Sequence, residues 1–282
     1  MTKKTILVTG ATGNVGGALV DQLAGREDVT VRALVRRPEA AKLPDGVEAV
    51  RGDLSDPASL RTALTGVDSV FLVWPLHPAE QAGPVVEVIA EHATRVVYLS
   101  SSAVDDATDP ITSSHAALEA VIRASGLQWT FLRGGGFAAN ALGWAPQIRE
   151  DRVVRWPYGA AVRTLMHEKD LAAVGVLALT TDDHVGRAYA LTGPEPLSQR
   201  EQVRAIGEAI GTPVRWEEQS RSEARADLLA QGWPDTLVDA VLDAWAGMVE
   251  HPETVSPAFR ELTGRDPRTF AEWAIDHAET FR

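Results

Sequence analysis

The chain of 282 residues contains no cysteine, so it can form no disulfide and offers neither a thiolate nucleophile nor a sulfur ligand for a metal. Its seven histidines are scattered and form no H-E-x-x-H or comparable pair, and no metal site is expected. No apolar run approaches the roughly 18 residues that a membrane-crossing helix needs. Met1-Thr2-Lys3-Lys4 leads at once into a short apolar strand, too short for the apolar stretch of a secretion signal, so the cytoplasm is the expected location. Basic runs are missing too. Twenty-seven Lys and Arg stand against 39 Asp and Glu, for a net charge of −12. Binding nucleic acid through its phosphates requires a basic surface, so neither nucleic acid nor a membrane is the expected partner.

What is present is ordinary globular material, 45% apolar and 23% charged, enough for a sizeable core. The first half alternates short apolar runs with helical periods. Strands are expected at Thr5–Thr9, Val29–Val35, Val47–Arg51, Ser69–Val73, Arg95–Leu99 and Trp129–Leu132. Helices are expected at Val15–Gly25, Pro57–Leu64, Val85–His92 and Ala116–Ala124. Near-continuous apolar strands alternating with helices imply a parallel sheet covered on both faces, and right-handed crossovers make it doubly wound. The expected fold class is therefore α/β, a Rossmann domain over 1–137. A smaller, mostly helical substrate-binding region over 138–282 follows, closing over the first and sharing its core. In that second region Ser198 and Glu201 fit a capping box. Pro234–Met248 and Arg268–Phe281 read as helices.

The densest signal is Gly10-Ala11-Thr12-Gly13-Asn14-Val15-Gly16, which follows the first strand and opens the first helix. A chain that turns sharply and lets a pyrophosphate approach its backbone needs residues without Cβ. The helix start offers unpaired N–H groups and a positive dipole end, and the third glycine allows close helix–strand packing. Gly10, Thr12, Gly13, Asn14, Val15 and Gly16 are thus candidate dinucleotide contacts. The spacing is G-x-x-G-x-x-G rather than G-x-G-x-x-G. Where an NAD-binding chain would carry an acidic residue after its second strand, this one has Arg36-Arg37-Pro38. A guanidinium suits a 2′-phosphate, which points to NADP(H) with Arg36 as the contact. Asp53 and Leu54 are placed to flank the adenine, and Leu72, Val73 and Trp74 to run beside the dinucleotide. Trp74 reads equally well as core.

These residues resemble the NmrA-like family of atypical short-chain dehydrogenases. The likeness continues through Tyr98-Leu99-Ser100-Ser101, Ser125–Arg133, Gly136–Asn140, Asp170-Leu171-Ala172, Leu191–Glu195 and Leu262–Arg265. It implies NAD(P) binding, with either quinone or azo-dye reduction or redox sensing without turnover. Short-chain dehydrogenases commonly use a serine at the end of the fifth strand and a Tyr-x-x-x-Lys on the next helix. Counting back from Glu119 puts His115 at the lysine position and Ile111 at the tyrosine position, so that tyrosine is absent. His115 is the candidate acid, ribose contact or packing residue, on a stripe with Leu118 and Ile122. Ser101 and Ser102 are candidates to orient a substrate oxygen. Gly135, Gly136 and Phe137, in the run after the sixth strand, are candidates for close approach to the nicotinamide. Trp144, Trp156, Trp233 and Trp245 supply aromatic material to the second region.

The expectation is an NADPH-dependent oxidoreductase acting on a flat conjugated small molecule, a quinone or an aromatic polyketide. A dinucleotide-binding regulator and a tailoring enzyme of non-redox chemistry stay open beside it. A homodimer is compatible with either.

Overall fold

The computed structural model describes residues 3–75, 81–102, 104 and 110–282. They divide into two compact units. The first runs to Gly134 and takes in Glu168–Leu191 as well, and the second comprises Gly135–His167 and Thr192–Arg282.

In the first unit β1 (Lys4–Val8), β2 (Val29–Val35), β3 (Glu48–Arg51), β4 (Ser69–Leu72), β5 (Arg95–Ser101) and β6 (Gln128–Gly134) alternate with helices. These are α1 (Asn14–Leu23), α2 (Pro57–Leu64), α3 (Ala82–His92) and α4 (Pro110–Ala124). With the strand Arg187–Leu191 they make a seven-stranded, wholly parallel sheet. Its order, from that edge strand, is β6, β5, β4, β1, β2, β3. The chain builds outward from β1 to β3, then returns to the other side of β1 with β4. Val8 accordingly pairs with Ala33 on one side and Phe71 on the other. This reversal beside β1 is where open α/β sheets bind ligands.

Strands buried on both faces explain the Val- and Leu-rich runs. Leu60, Leu64, Val85, Ile89, Leu118 and Ile122 cover one face, packed with Leu7, Val70, Tyr98 and Phe131. On α1 and its partner Glu168–Thr180 the decisive residue is Gly175. A Cβ there would lie 2.6 Å from Leu19 and 3.1 Å from Phe71, so only glycine permits this approach. Arg95, 5% exposed at the start of β5, donates to the Thr181 carbonyl at 2.7 Å and pairs with Asp182 at 2.5 Å. It thereby places a cation at the end of Glu168–Thr180, where the helix dipole favours one.

The second unit has its own core of Trp144, Ile148, Val154, Phe270, Trp273 and Phe281 with neighbouring alanines. Its strands are short pairs: Gly136–Phe137 with Leu165–Met166, Val162–Arg163 with Leu197–Ser198, and Val153–Trp156 with Arg215–Glu218. The capping box is present, Ser198 accepting from the Glu201 amide. The helix expected from Pro234 spans Asp235–Glu250. The helix expected over Arg268–Phe281 is instead two. A second capping box, Thr269 with Glu272, starts it at Phe270. His277, at φ −106° and ψ 9°, breaks it before Ala278–Phe281. The division also differs from two contiguous stretches at 137/138, because Glu168–Leu191 adds a helix and an edge strand to the first unit. Among the described residues no helix is long and apolar enough to cross a membrane.

Candidate cofactor and active site

The carboxyl ends of β1 to β4 open onto a cleft of about 550 Å³ in the first unit. Thr9, Gly10 and Thr12 line it from the first turn, and Arg36 and Arg37 from the end of β2. Gly52, Asp53 and Leu54 enter from the end of β3, and Val73 and Pro75 from the end of β4. Six residues singled out in the sequence therefore meet in one place: Gly10, Thr12, Arg36, Asp53, Leu54 and Val73.

The glycines act in three different ways. Gly10 has φ +60°, a left-handed backbone that side chains disfavour, and its carbonyl accepts from the Gly13 amide at 2.9 Å. Gly16 is a packing residue, since a Cβ there would lie 2.2 Å from the Gly10 oxygen. Gly13 has an ordinary φ of −92° and is exposed at the start of α1. No side chain caps α1 and its first turn carries no acid, so the amides at its start face no competing carboxylate of that turn. A glycine cradle and an uncapped helix start fit a pyrophosphate. Thr12 and Asn14 are exposed beside it, whereas the Val15 side chain is buried, leaving only its backbone for a ligand.

Two candidates beside the cleft have their side chains in the core. Leu72 is fully buried and Trp74 is 5% exposed, both within the core that α2, α3 and α4 cover, while Val73 between them faces the cleft. Side chains alternate along an extended chain, so only one of three successive residues turns outward. Asp53 forms an Asx turn, its Oδ1 accepting from the Ser55 amide at 2.9 Å and from the Ser55 hydroxyl at 2.8 Å. It fixes the loop that carries Leu54. Thr9 had not been singled out. Its hydroxyl accepts from the Val73 amide at 2.7 Å and donates to the Val73 carbonyl at 3.2 Å, tying the ends of β1 and β4 together under the cleft. Arg37 lines the cleft beside Arg36, and both are exposed.

Gly135, Gly136 and Phe137 belong to the second unit. Gly135 accepts from Arg163 at 3.2 Å, and a Cβ on Gly136 would lie 2.7 Å from Leu165 and 3.0 Å from the Arg163 guanidinium. Local packing accounts for that glycine. Trp144 is core, Trp156 and Trp245 pack on each other with centroids 5.2 Å apart, and Trp233 is 38% exposed.

The other candidates lie on β5 and α4. Tyr98 and Ser100, two apart on β5, share one sheet face. His115 and Glu119, four apart on α4, share one helix face. The two faces meet: the Tyr98 hydroxyl is 2.5 Å from His115 Nδ1, and Ser100 donates to Glu119 at 2.7 Å. Glu119, 1% exposed, also accepts from Arg133 at 2.7 Å and Arg123 at 3.0 Å. Burial, then the nearby Glu119 carboxylate, push the Tyr98 phenol well above its ordinary ionisation range. Ser101 is half-buried at the strand end and Ser102 exposed just beyond it. Ser100 is thus the serine held in the buried network. The side chain of Ile111 lies outside the described residues.

The chain belongs to the NAD(P)H-binding family, whose profile matches residues 10–182, and within it to the NmrA-like atypical short-chain dehydrogenases. It is 42% identical over 282 residues to (4-alkanoyl-5-oxo-2,5-dihydrofuran-3-yl)methyl phosphate reductase of Streptomyces griseus, covering 98% of this chain and 99% of that one. It is 35% identical over 285 residues to NAD(P)H azoreductase of Xenophilus azovorans, with the same coverage. A solved structure of NADPH-dependent quinone oxidoreductase from Escherichia coli with NADPH superposes at a TM-score of 0.79 and 25% identity, over 95% of this chain and 98% of that one.

Proposed function

We propose that the protein is an NADPH-dependent reductase whose acceptor is a flat, conjugated small molecule. The observation that carries this is the cleft that gathers the glycine turn, the Arg36–Arg37 pair and the Asp53–Leu54 loop at the reversal beside β1. The bound dinucleotide supplies hydride. The protein supplies binding and orientation: the start of α1 toward pyrophosphate, Arg36 toward the 2′-phosphate, Leu54 and Val73 as apolar walls. The substrates named in the relatives are a butenolide with a conjugated ring double bond, an azo compound and a quinone. All three delocalise the charge left after hydride arrives, so they need less from a protein acid than a simple ketone does. That matches a chain with no tyrosine at the motif position and a histidine, His115, at the lysine position. An imidazole can act as acid or base near neutrality, and Ser101 and Ser102 stand at the end of β5 to orient the acceptor oxygen. Incubation with NADPH and a quinone panel, followed at the reduced nicotinamide band, tests the reading. Oxidation no faster than in protein-free controls across the panel would remove it and favour a dinucleotide-binding regulator.

Arg36→Ala is expected to lower NADPH affinity by about tenfold or more while leaving NADH affinity unchanged, since a charge-assisted hydrogen bond contributes roughly 1.5–3 kcal/mol. Calorimetry showing equal affinity of the unaltered protein for both cofactors would refute the phosphate assignment. His115→Ala is expected to lower turnover by about 100-fold, the lower end for loss of a general acid, while largely sparing NADPH affinity. If affinity falls and turnover at saturating cofactor does not, His115 is a ribose contact instead.

A further inference from the structure

Tyr98 belongs to a stretch that carries the family resemblance but was given no role there, because the family motif looks for a tyrosine on the helix and this one is on the strand beneath it. Tyr98 pairs with Leu72 on β4 and Phe131 on β6, in the interior of the sheet, and is fully buried. Its ring stands edge-on to Phe131, with centroids 6.2 Å apart, and is tilted against the His115 imidazole at 5.8 Å. Among the described residues its hydroxyl has one hydrogen-bond partner, His115 Nδ1 at 2.5 Å.

We propose that Tyr98 is a positioning residue for His115: its phenol donates to Nδ1 and so fixes the neutral imidazole as the tautomer with the proton on Nε2. A neutral imidazole has one donor and one acceptor nitrogen, and the partner of one decides the proton on the other. If Nδ1 carried the proton and donated to the phenol oxygen, the phenolic proton would be left without an acceptor in a place that water does not reach. Buried polar hydrogens are rarely left so. Loss of that proton is no escape, because burial and the Glu119 carboxylate both disfavour the phenolate. Tyr98 therefore donates. Its strand is held on both sides by the sheet, and one turn further along α4 the bonds of Glu119 to Ser100 and Arg133 fix the helix against the same sheet. The ring of His115 is thus pinned by a donor that cannot drift, and in the neutral imidazole Nε2–H is a hydrogen-bond donor. Any consequence for turnover rests on the reading of His115 as a group of the active site. The tautomer does not.

The test is a long-range proton–nitrogen correlation spectrum of the full chain labelled with ¹⁵N-histidine, with and without NADPH. The His115 signal is identified as the one missing from His115→Ala. The unaltered protein is expected to show neutral His115 wholly as the Nε2–H form, and Tyr98→Phe, which keeps the ring and its packing, a mixture of both forms. A neutral His115 protonated on Nδ1 in the unaltered protein overturns the proposal without any variant. An Nε2–H form that persists unchanged in Tyr98→Phe overturns it as well. Full turnover in His115→Ala is a different failure: it removes the acid role from the proposed function, while a tautomer released in Tyr98→Phe still upholds what Tyr98 does to the imidazole.

Discussion

Gly13→Val is expected to fold and to lose dinucleotide binding, with the dissociation constant for NADPH rising at least about 100-fold, close to 3 kcal/mol. The two halves of that expectation have separate causes. Gly13 has φ −92° and ψ −179°, which any residue can adopt, so the backbone is not strained by a side chain. The nearest atom to an added Cβ is the Gly10 carbonyl oxygen at 3.2 Å, tight enough to ask for a few tenths of an ångström of movement and no more. The side chain then stands exposed at the start of α1, in the space that a phosphate needs to reach the helix amides. Gly16→Val is the contrast. Its Cβ would lie 2.2 Å from the same oxygen and 2.6 Å from its carbonyl carbon, which forces the turn apart, and that variant is expected to lose stability rather than affinity alone. Circular dichroism and thermal midpoints separate the two, with calorimetry on the folded variant. A folded Gly13→Val that binds NADPH normally would place the phosphates elsewhere.

The cleft was legible because its residues sit at strand ends, where local sequence carries the meaning. A glycine triplet after β1, arginines after β2 and an aspartate after β3 each announce a turn, and the alternation of the fold brings the ends together. Residues just past β4 were harder. Leu72-Val73-Trp74 reads as three neighbours, but only Val73 faces the cleft. The β5–α4 network was not legible at all. It depends on which face of a strand meets which face of a helix, and Tyr98 with His115, or Ser100 with Glu119, are partners seventeen and nineteen positions apart. Reading serines by their place at a strand end chose Ser101 and Ser102, while parity along the strand selected Ser100.

The return of Glu168–Leu191 to the first unit was hidden for another reason. The strand Arg187–Leu191 is an edge that, among the described residues, pairs only with β6, and of its residues Leu191 alone is buried. Such a strand needs no apolar run, and apolar runs are what distinguish central parallel strands in a sequence. The helix before it is anchored at its end to β5 by Arg95, a residue that composition alone would place on the surface.

Glu119→Ala is expected to cost the fold about 3–5 kcal/mol, the range for removing one partner from a buried ion pair. Glu119 is 1% exposed, and its carboxylate accepts from the Ser100 hydroxyl at 2.7 Å and from Arg133 Nε and Nη2 at 2.9 and 2.7 Å. Arg123, 43% exposed and packed over Trp129 and Phe131, contributes a weaker fourth bond because water screens it. Removing the carboxylate takes from Ser100 its acceptor and from Arg133, 14% exposed, an anion that offsets its desolvation. Glu119→Gln should fall between, since the amide oxygen can still accept from Ser100 while its NH₂ would confront a guanidinium. Replacing Glu119 and Arg133 together by leucine and methionine should recover much of the loss, because apolar side chains of similar volume carry no desolvation cost. Denaturant unfolding of the whole chain measures all three. A loss below about 1 kcal/mol in Glu119→Ala would mean that the carboxylate contributes no more than a surface ion pair. Turnover should fall with stability in Glu119→Ala even where the protein is still folded. The carboxylate holds α4 one turn beyond His115 against the strand that carries Tyr98, so its loss loosens the helix under the imidazole. The double replacement then discriminates: stability restored without turnover would show that the network serves to hold His115 in register, beyond its part in keeping the chain folded.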